Sequence, residues 1–200
     1  LTEKTVLTGI EINILEGTEK KVFDIVQRRN TGDYVPINKI VQNSIMRVSA
    51  ASKLKGNVTG IPTGFIDLDY RTSGMQKSDL VLVAARPSMG KTAFVLNMAQ
   101  YMAFEGHKTV AIFSLEMSSE QLVNRLLAME ARIDAQKLRN GSLEDKDWEL
   151  LLEGAGTVAK SNLIIDDRAS SLAEIRSKCR KFKLAHNLDI VIIDYLQLMS

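Results

Sequence analysis

Two hundred residues suffice for one domain, or one domain with an appendage. With 45% apolar and 25% charged residues the composition is that of an ordinary soluble globular chain. The formal net charge of +2 confines any nucleic-acid binding to local patches. A lone Cys179 excludes an internal disulfide framework and a cysteine zinc site, and suits a reducing cytosol. No apolar run reaches membrane-spanning length, and the N-terminus lacks a secretory pattern. The chain opens on Leu1 and stops after Leu196-Gln-Leu-Met-Ser200, as expected of a segment of something longer.

In chain order, residues 1–16 carry little pattern. Thr18 predicts a helix cap, with Val22, Phe23, Ile25 and Val26 on one side of a helix running to Arg29 and Asn30-Thr-Gly-Asp33 breaking it. A second helix is predicted from Ile37 to Lys53, with Ile37, Ile40, Val41, Ile45 and Val48 on one stripe. The two helices read as a hairpin on the main domain or as an arm docking on another subunit. Asn57 to Ser78 is rich in Gly, Thr and Asp and predicts turns with short strands, so the boundary is placed between residues 1–56 and 57–200.

From Asp79 onward, strands and helices alternate. Leu80–Ala84, Val110–Leu115, Leu163–Ile165 and Ile190–Ile193 are short apolar runs of strand length. Between them, Ser118-Ser-Glu-Gln121 opens a helix to about Ala131, Ser142 is expected to cap a helix containing Trp148, and Ser171-Leu-Ala-Glu174 opens a basic helix. This alternation predicts an α/β fold with a parallel sheet flanked by helices.

The stretch Ala85-Arg-Pro-Ser-Met-Gly90-Lys91-Thr92 meets seven of the eight positions of the phosphate-binding P-loop, with Ala85 in place of the first glycine. The chemistry requires these residue types. Backbone N–H groups from Ser88 through Met89, Gly90 and Lys91 to Thr92 can curl round a phosphate at a helix N-terminus. Lys91 reaches the β- and γ-phosphates, and the Thr92 hydroxyl holds Mg²⁺. Asp194 closes an apolar strand, where a Walker B acid would complete the Mg²⁺ shell; a strand-end turn cap is the plainer alternative. Glu116 ends another strand at the same sheet edge and fits the base that activates water, or simply favours the following helix dipole. Arg125, in that helix, is read as a nucleotide contact or a surface ion pair. The basic run Arg176 to Lys183 reads better as a solvated face than as a nucleic-acid site. Asp166-Asp167 has no histidine beside it and is assigned no metal, and His107 and His186 are isolated.

Four segments together resemble the bacterial replicative DNA helicases of the DnaB family: Thr59-Gly-Ile-Pro-Thr-Gly-Phe-Ile-Asp-Leu-Asp69, Ala84-Ala-Arg-Pro-Ser-Met-Gly-Lys-Thr-Ala-Phe94, Phe113-Ser-Leu-Glu-Met-Ser118 and Val191-Ile-Ile-Asp-Tyr-Leu-Gln-Leu-Met199. The likeness runs from about residue 18 to the end, and alanine at the first P-loop position is usual in that family. It implies a RecA-like ATPase domain preceded by a helical linker, in a homohexameric ring that hydrolyses ATP with Mg²⁺ and moves 5′ to 3′ on single-stranded DNA. By position it implies ATP contacts at Ser88, Gly90, Lys91, Thr92 and Arg125, and a catalytic base at Glu116. The segment Thr18 to Arg29 resembles the linker helix that docks on the adjacent motor. The family's arginine finger, γ-phosphate sensor and DNA-binding loops follow the Walker B strand, so they are expected beyond Ser200; the N-terminal domain that contacts primase and the region that meets the helicase loader are likewise expected outside this chain. The expected location is the cytoplasm, at the replication fork, with no membrane contact. A recombination or repair ATPase of the RecA/RadA type and a non-catalytic nucleotide-fold module are the competing readings. The Ala-Arg-Pro-Ser loop and the absence of a cysteine zinc ribbon in this stretch argue against the RadA-like branch, and Glu116 with Asp194 against the inactive module.

Overall fold

A computed structural model describes residues 35–53 and 58–199. The helix expected over Thr18–Arg29, its break at Asn30–Asp33 and residues 1–16 lie outside the described residues. The chain separates into two compact units, Leu1–Lys53 and Leu54–Ser200.

In the first unit, α1 (Ile37–Lys53) forms with the bounds the apolar stripe predicts. Pro36 sits just ahead of it, and its carbonyl accepts from the N–H groups of Lys39 and Ile40 at 3.0 and 3.3 Å. The stripe residues Ile37, Ile40, Val41, Ile45 and Val48 are all exposed. Amphipathic spacing makes this helix, and among the described residues its apolar stripe is left exposed.

The second unit begins with a turn closed by an antiparallel bridge between Ile61 and Met75. Inside the turn lies a short helix, α2 (Ile66–Thr72), where turns and strands are expected. The reason is local chemistry: buried Asp69 turns its carboxylate back to accept from the Thr63 N–H and hydroxyl and the Gly64 N–H, at 2.8–3.2 Å. Seven residues are too few to display a helical period. The Phe65 ring stacks on Phe94 at 4.8 Å, fastening the turn to the next helix.

That helix, α3 (Lys91–Phe104), is followed by β1 (Val110–Ser114), α4 (Ser119–Ala131), α5 (Ala135–Asn140), α6 (Asp145–Lys160), β2 (Leu163–Asp166), α7 (Leu172–His186) and β3 (Ile190–Asp194), with a single 3-10 turn at Leu196–Leu198. The strands form a parallel sheet in the order β2-β1-β3, so β1 is paired on both edges. Val110 to Phe113 pair with Leu163 to Asp166, and Val110 to Ser114 with Ile190 to Asp194.

Every side chain of β1 is buried, and its two-residue period divides the core. Val110 and Ile112 face Leu96, Ala99 and Met102 of α3 and Leu122 and Leu126 of α4. Ala111 and Phe113 face the opposite side, against Ile175 and Phe182 of α7 and Leu188. The expected cover on both faces is therefore present.

Three expectations need correction. Leu80–Ala84 is not part of the hydrogen-bonded sheet. A cavity of about 520 Å³ separates it from β3, and a strand exists only where its backbone is paired; Leu80, Val81 and Leu82 stay exposed. The helix containing Trp148 starts at Asp145, not after a Ser142 cap. Ser142 instead belongs to the end of α5, its N–H bonded to the Lys137 carbonyl at 3.1 Å, and Asp147 accepts from the Glu144 N–H. At α7 the Ser171 hydroxyl accepts from the Glu174 N–H as expected, while the Glu174 carboxylate accepts from the Ser170 N–H. The box at α4 forms as read: the Ser118 hydroxyl accepts from the Gln121 N–H, and the Gln121 side chain accepts in return from the Ser118 N–H.

Because Phe113 is fully buried at the centre of β1 and stacks on Phe182, Phe113→Ala is expected to destabilise the fold by about 3–5 kcal/mol. Denaturant unfolding of the two proteins measures it.

Candidate functional site

The loop from Ala85 to Gly90 leads into the first residue of α3, and its shape is set by two left-handed residues. Ser88 has φ +65° and Gly90 φ +86°. A Cβ at Gly90 would meet no protein atom, so the left-handed backbone is what calls for glycine there. The Met89 N–H closes the loop on the Arg86 carbonyl at 3.3 Å, and the Phe94 N–H bonds the Gly90 carbonyl at 2.9 Å as the helix begins. Met89 itself is exposed.

Two side chains at the start of α3 converge on Asp194 at the end of β3. The Thr92 hydroxyl donates to Asp194 Oδ2 at 2.6 Å, and Lys91 Nζ lies 3.5 Å from Oδ1. Asp194 is buried, and a buried carboxylate is tolerated where a cation and a hydroxyl satisfy it. Lys91 also sits 4.0 Å above the Tyr195 ring, a cation–π contact that steadies its ammonium. Sequence reasoning misses Tyr195; its place immediately after the strand-end acid is the only signal it carries there.

Glu116 is two residues beyond Ser114, which pairs with Asp194 in the ladder. The Leu115 N–H donates to the Asp194 carbonyl at 2.7 Å, so the Glu116 turn and the acid share one sheet edge. Buried Ser114 holds the turn from inside: its hydroxyl donates to the Met117 carbonyl at 2.7 Å and accepts from the Met117 N–H at 3.1 Å. Glu116 is exposed, as is Arg125 on α4, and among the described residues neither enters an ion pair. The surface ion pair considered for Arg125 is therefore not formed among them.

The two acids after β2 take separate partners. Burial works against Asp166, but the Lys178 ammonium and the N–H groups of Arg168 and Ala169 outweigh it and hold the carboxyl below its usual range. Lys178 is thereby drawn out of the basic face of α7. Asp167 accepts from the Ser119 N–H and hydroxyl, both at 2.7 Å. Among the described residues no group of three His, Cys, Asp or Glu could hold a metal. Burial pushes the Cys179 thiol up, away from reactivity.

A three-layered α/β unit with helices on both faces of a parallel sheet, and a loop-to-helix turn whose Lys91 and Thr92 meet the strand-end Asp194, has the RecA-like fold. The family model described as "DnaB-like helicase C terminal domain" matches residues 60–200, and the chain belongs to that family. It is 45% identical over 189 residues to "Replicative DNA helicase DnaC" of Bacillus subtilis (strain 168), covering 94% of this chain and 42% of that protein. It is 44% identical over 188 residues to "Replicative DNA helicase DnaB" of Geobacillus stearothermophilus, covering 94% and 41%. Among solved structures, one described as an ATPase domain superposes with a TM-score of 0.77 at 36% identity, over 84% of this chain and 60% of that one. A structure of a DnaB-like replicative helicase and its interactions with primase gives 0.72 at 33% identity, over 98% and 49%. The chain thus spans about two fifths of the length of these curated relatives. A recombination ATPase is not favoured beside them. Among the described residues no helix is long and apolar enough to cross a membrane.

The Asp166 carboxyl is held below its ordinary value of 3.8, so its contribution to stability is complete above that pH and is lost as pH falls through the lowered value. Lys178→Met is expected to flatten this acid limb, leaving a smaller loss of stability between neutral and acid pH than in the parent. Unfolding free energies measured across that range check it.

Proposed function

We propose that this chain is the linker and nucleotide-binding half of the motor of an ATP-dependent replicative DNA helicase, one that hydrolyses ATP to move 5′ to 3′ along single-stranded DNA. The observation that carries the reading is the convergence of Lys91 and Thr92 on buried Asp194 beside the left-handed turn at Ser88 and Gly90. An ammonium, a hydroxyl and a carboxylate around one point are the donor set that a Mg²⁺–nucleotide requires: hard oxygens for the cation and a positive charge for the phosphates.

In this reading the backbone N–H groups from Ser88 to Thr92 cradle the phosphates, that of Met89 turning from the Arg86 carbonyl, with α3 aiming its positive end at them. Lys91 leaves Asp194 for the β- and γ-phosphates, a move its 28% exposure permits. The Thr92 hydroxyl and the Asp194 carboxylate hold Mg²⁺ and its water shell. Glu116, exposed at the same edge and free of ion pairs among the described residues, accepts the proton of the attacking water. Arg125 on α4 reaches toward the nucleotide. Bound ATP supplies the phosphoryl group; the protein's part is positioning and charge.

The resemblance to replicative helicases supports a homohexamer on single-stranded DNA, working in the cytoplasm at the replication fork. The exposed apolar stripe of α1 suits an arm that docks on a neighbouring subunit, as proposed also for Thr18–Arg29. Contacts with primase and a loader belong, in the same reading, to regions outside this chain. The boundary between linker and motor is placed near residue 57.

Two substitutions in the full-length protein test the assignment. Lys91→Ala removes the charge meant for the phosphates, and nucleotide affinity and turnover should both collapse in binding and ATPase assays. Glu116→Gln keeps the shape and loses the base, so binding should persist while kcat falls by about 10²–10⁴-fold. Hydrolysis within a few-fold of the parent in either variant would sink the corresponding role.

A further inference from the structure

We propose that Asp167 is a positioning residue for Glu116, acting through the first turn of α4; the inference rests on the reading of Glu116 as the base. Glu116 lies in a connection of only four residues, Leu115 to Ser118, between β1 and α4. An exposed carboxylate on so short a turn is aimed by its backbone, and this backbone is braced on both sides of it. The Leu115 N–H is held by the Asp194 carbonyl, and Met117 by the Ser114 hydroxyl through both its N–H and its carbonyl. Ser118 is locked by its reciprocal bonds with Gln121.

Those braces come from β1, β3 and α4 itself. The remaining one comes from the other edge of the sheet. Asp167, directly after β2, receives the Ser119 N–H and the Ser119 hydroxyl on a single oxygen, each at 2.7 Å. Ser119 is the first residue of α4, so the carboxylate also faces the positive end of that helix. The Ser119 N–H and hydroxyl hold the Asp167 carboxyl below its usual range. With Asp194 on one side and Asp167 on the other, the Glu116 turn is tied to both neighbours of β1.

Asp167 is exposed and lies outside the core clusters, so its removal should cost only its two bonds at the start of α4, a small part of the global stability. What it should alter is the placement of the base, and misplacement of a reacting group by about 1 Å can cost on the order of 10²-fold in rate. The neighbouring Asp166 does a different job: it pairs with Lys178 and binds the N–H groups of its own turn.

The test uses the full-length protein with Asp167→Ala, Asp167→Asn and Ser119→Ala, reading steady-state ATPase, nucleotide affinity and thermal unfolding. Asp167→Ala should lower kcat by roughly 10- to 100-fold with nucleotide Kd nearly unchanged and a drop in Tm too small to unfold the protein at the assay temperature. Asp167→Asn keeps an oxygen for the Ser119 N–H and should recover most of the rate. Ser119→Ala removes only the hydroxyl contact and should fall between. An unchanged kcat in Asp167→Ala overturns the inference, as does a loss that merely tracks a lowered Tm. If Glu116→Gln stops hydrolysis while Asp167→Ala does not, only the positioning role fails; if Glu116→Gln hydrolyses normally, the base assignment fails first and this inference with it.

Discussion

The structure of the second unit depends on the pairing of β1 with a parallel strand on each side. Because β1 is bonded at both edges, its side chains must alternate between two covered faces, and each face recruits its own helices: α3 and α4 against Val110 and Ile112, α7 against Phe113. Parallel pairing also brings the carboxyl ends of all three strands to one edge. Ser114, Asp166 and Asp194 end their strands together, and the residues following them, Glu116, Asp167 and Tyr195, inherit that proximity without being close in sequence.

At that edge the dominant local constraint is the buried charge on Asp194. A carboxylate removed from water demands partners, and Thr92 and Lys91 provide them from the start of α3. The ladder places the acid, and the left-handed turn at Gly90 places the helix that answers it. The same arrangement that satisfies Asp194 in the free protein gathers the cation, hydroxyl and carboxylate proposed to receive a magnesium nucleotide. Stability and the proposed chemistry therefore draw on the same three groups, so substituting one of them changes both.

The carboxyl edge of the sheet is stiff where it is bonded and open elsewhere. The turn after β1 is tied by backbone and serine hydrogen bonds, while the Glu116 carboxylate itself is left in solvent. The likeness to replicative helicases covers most of this chain but about two fifths of those proteins, and the apolar stripe on α1 is exposed. A helix with that much apolar exposure gains stability from packing rather than from propensity.

Much of this was legible in the sequence because it is local. The apolar runs at β1, β2 and β3 name themselves by length and β-branching, Ser118 and Gln121 specify a capping box within four residues, and Ile37 to Lys53 carries its period on its face. Gly90-Lys91-Thr92 and the strand-end Asp194 are recognisable because phosphate chemistry admits few residue types at that spacing. Other features needed the tertiary structure. Leu80–Ala84 has the composition of a strand, but strand pairing is a relation between segments, and here a cavity stands where a partner backbone would be. The short helix α2 exists because Asp69 folds back on Thr63 and Gly64, a bond no hydrophobic period announces. Ser142 has the look of a cap and spends its N–H on the preceding helix. Asp166 and Asp167 are indistinguishable neighbours in the sequence; only the alternation of a strand's end, one residue turning to α7 and the next to α4, gives them separate partners. What composition and spacing determine is which groups are available, and what the sheet decides is which of them meet.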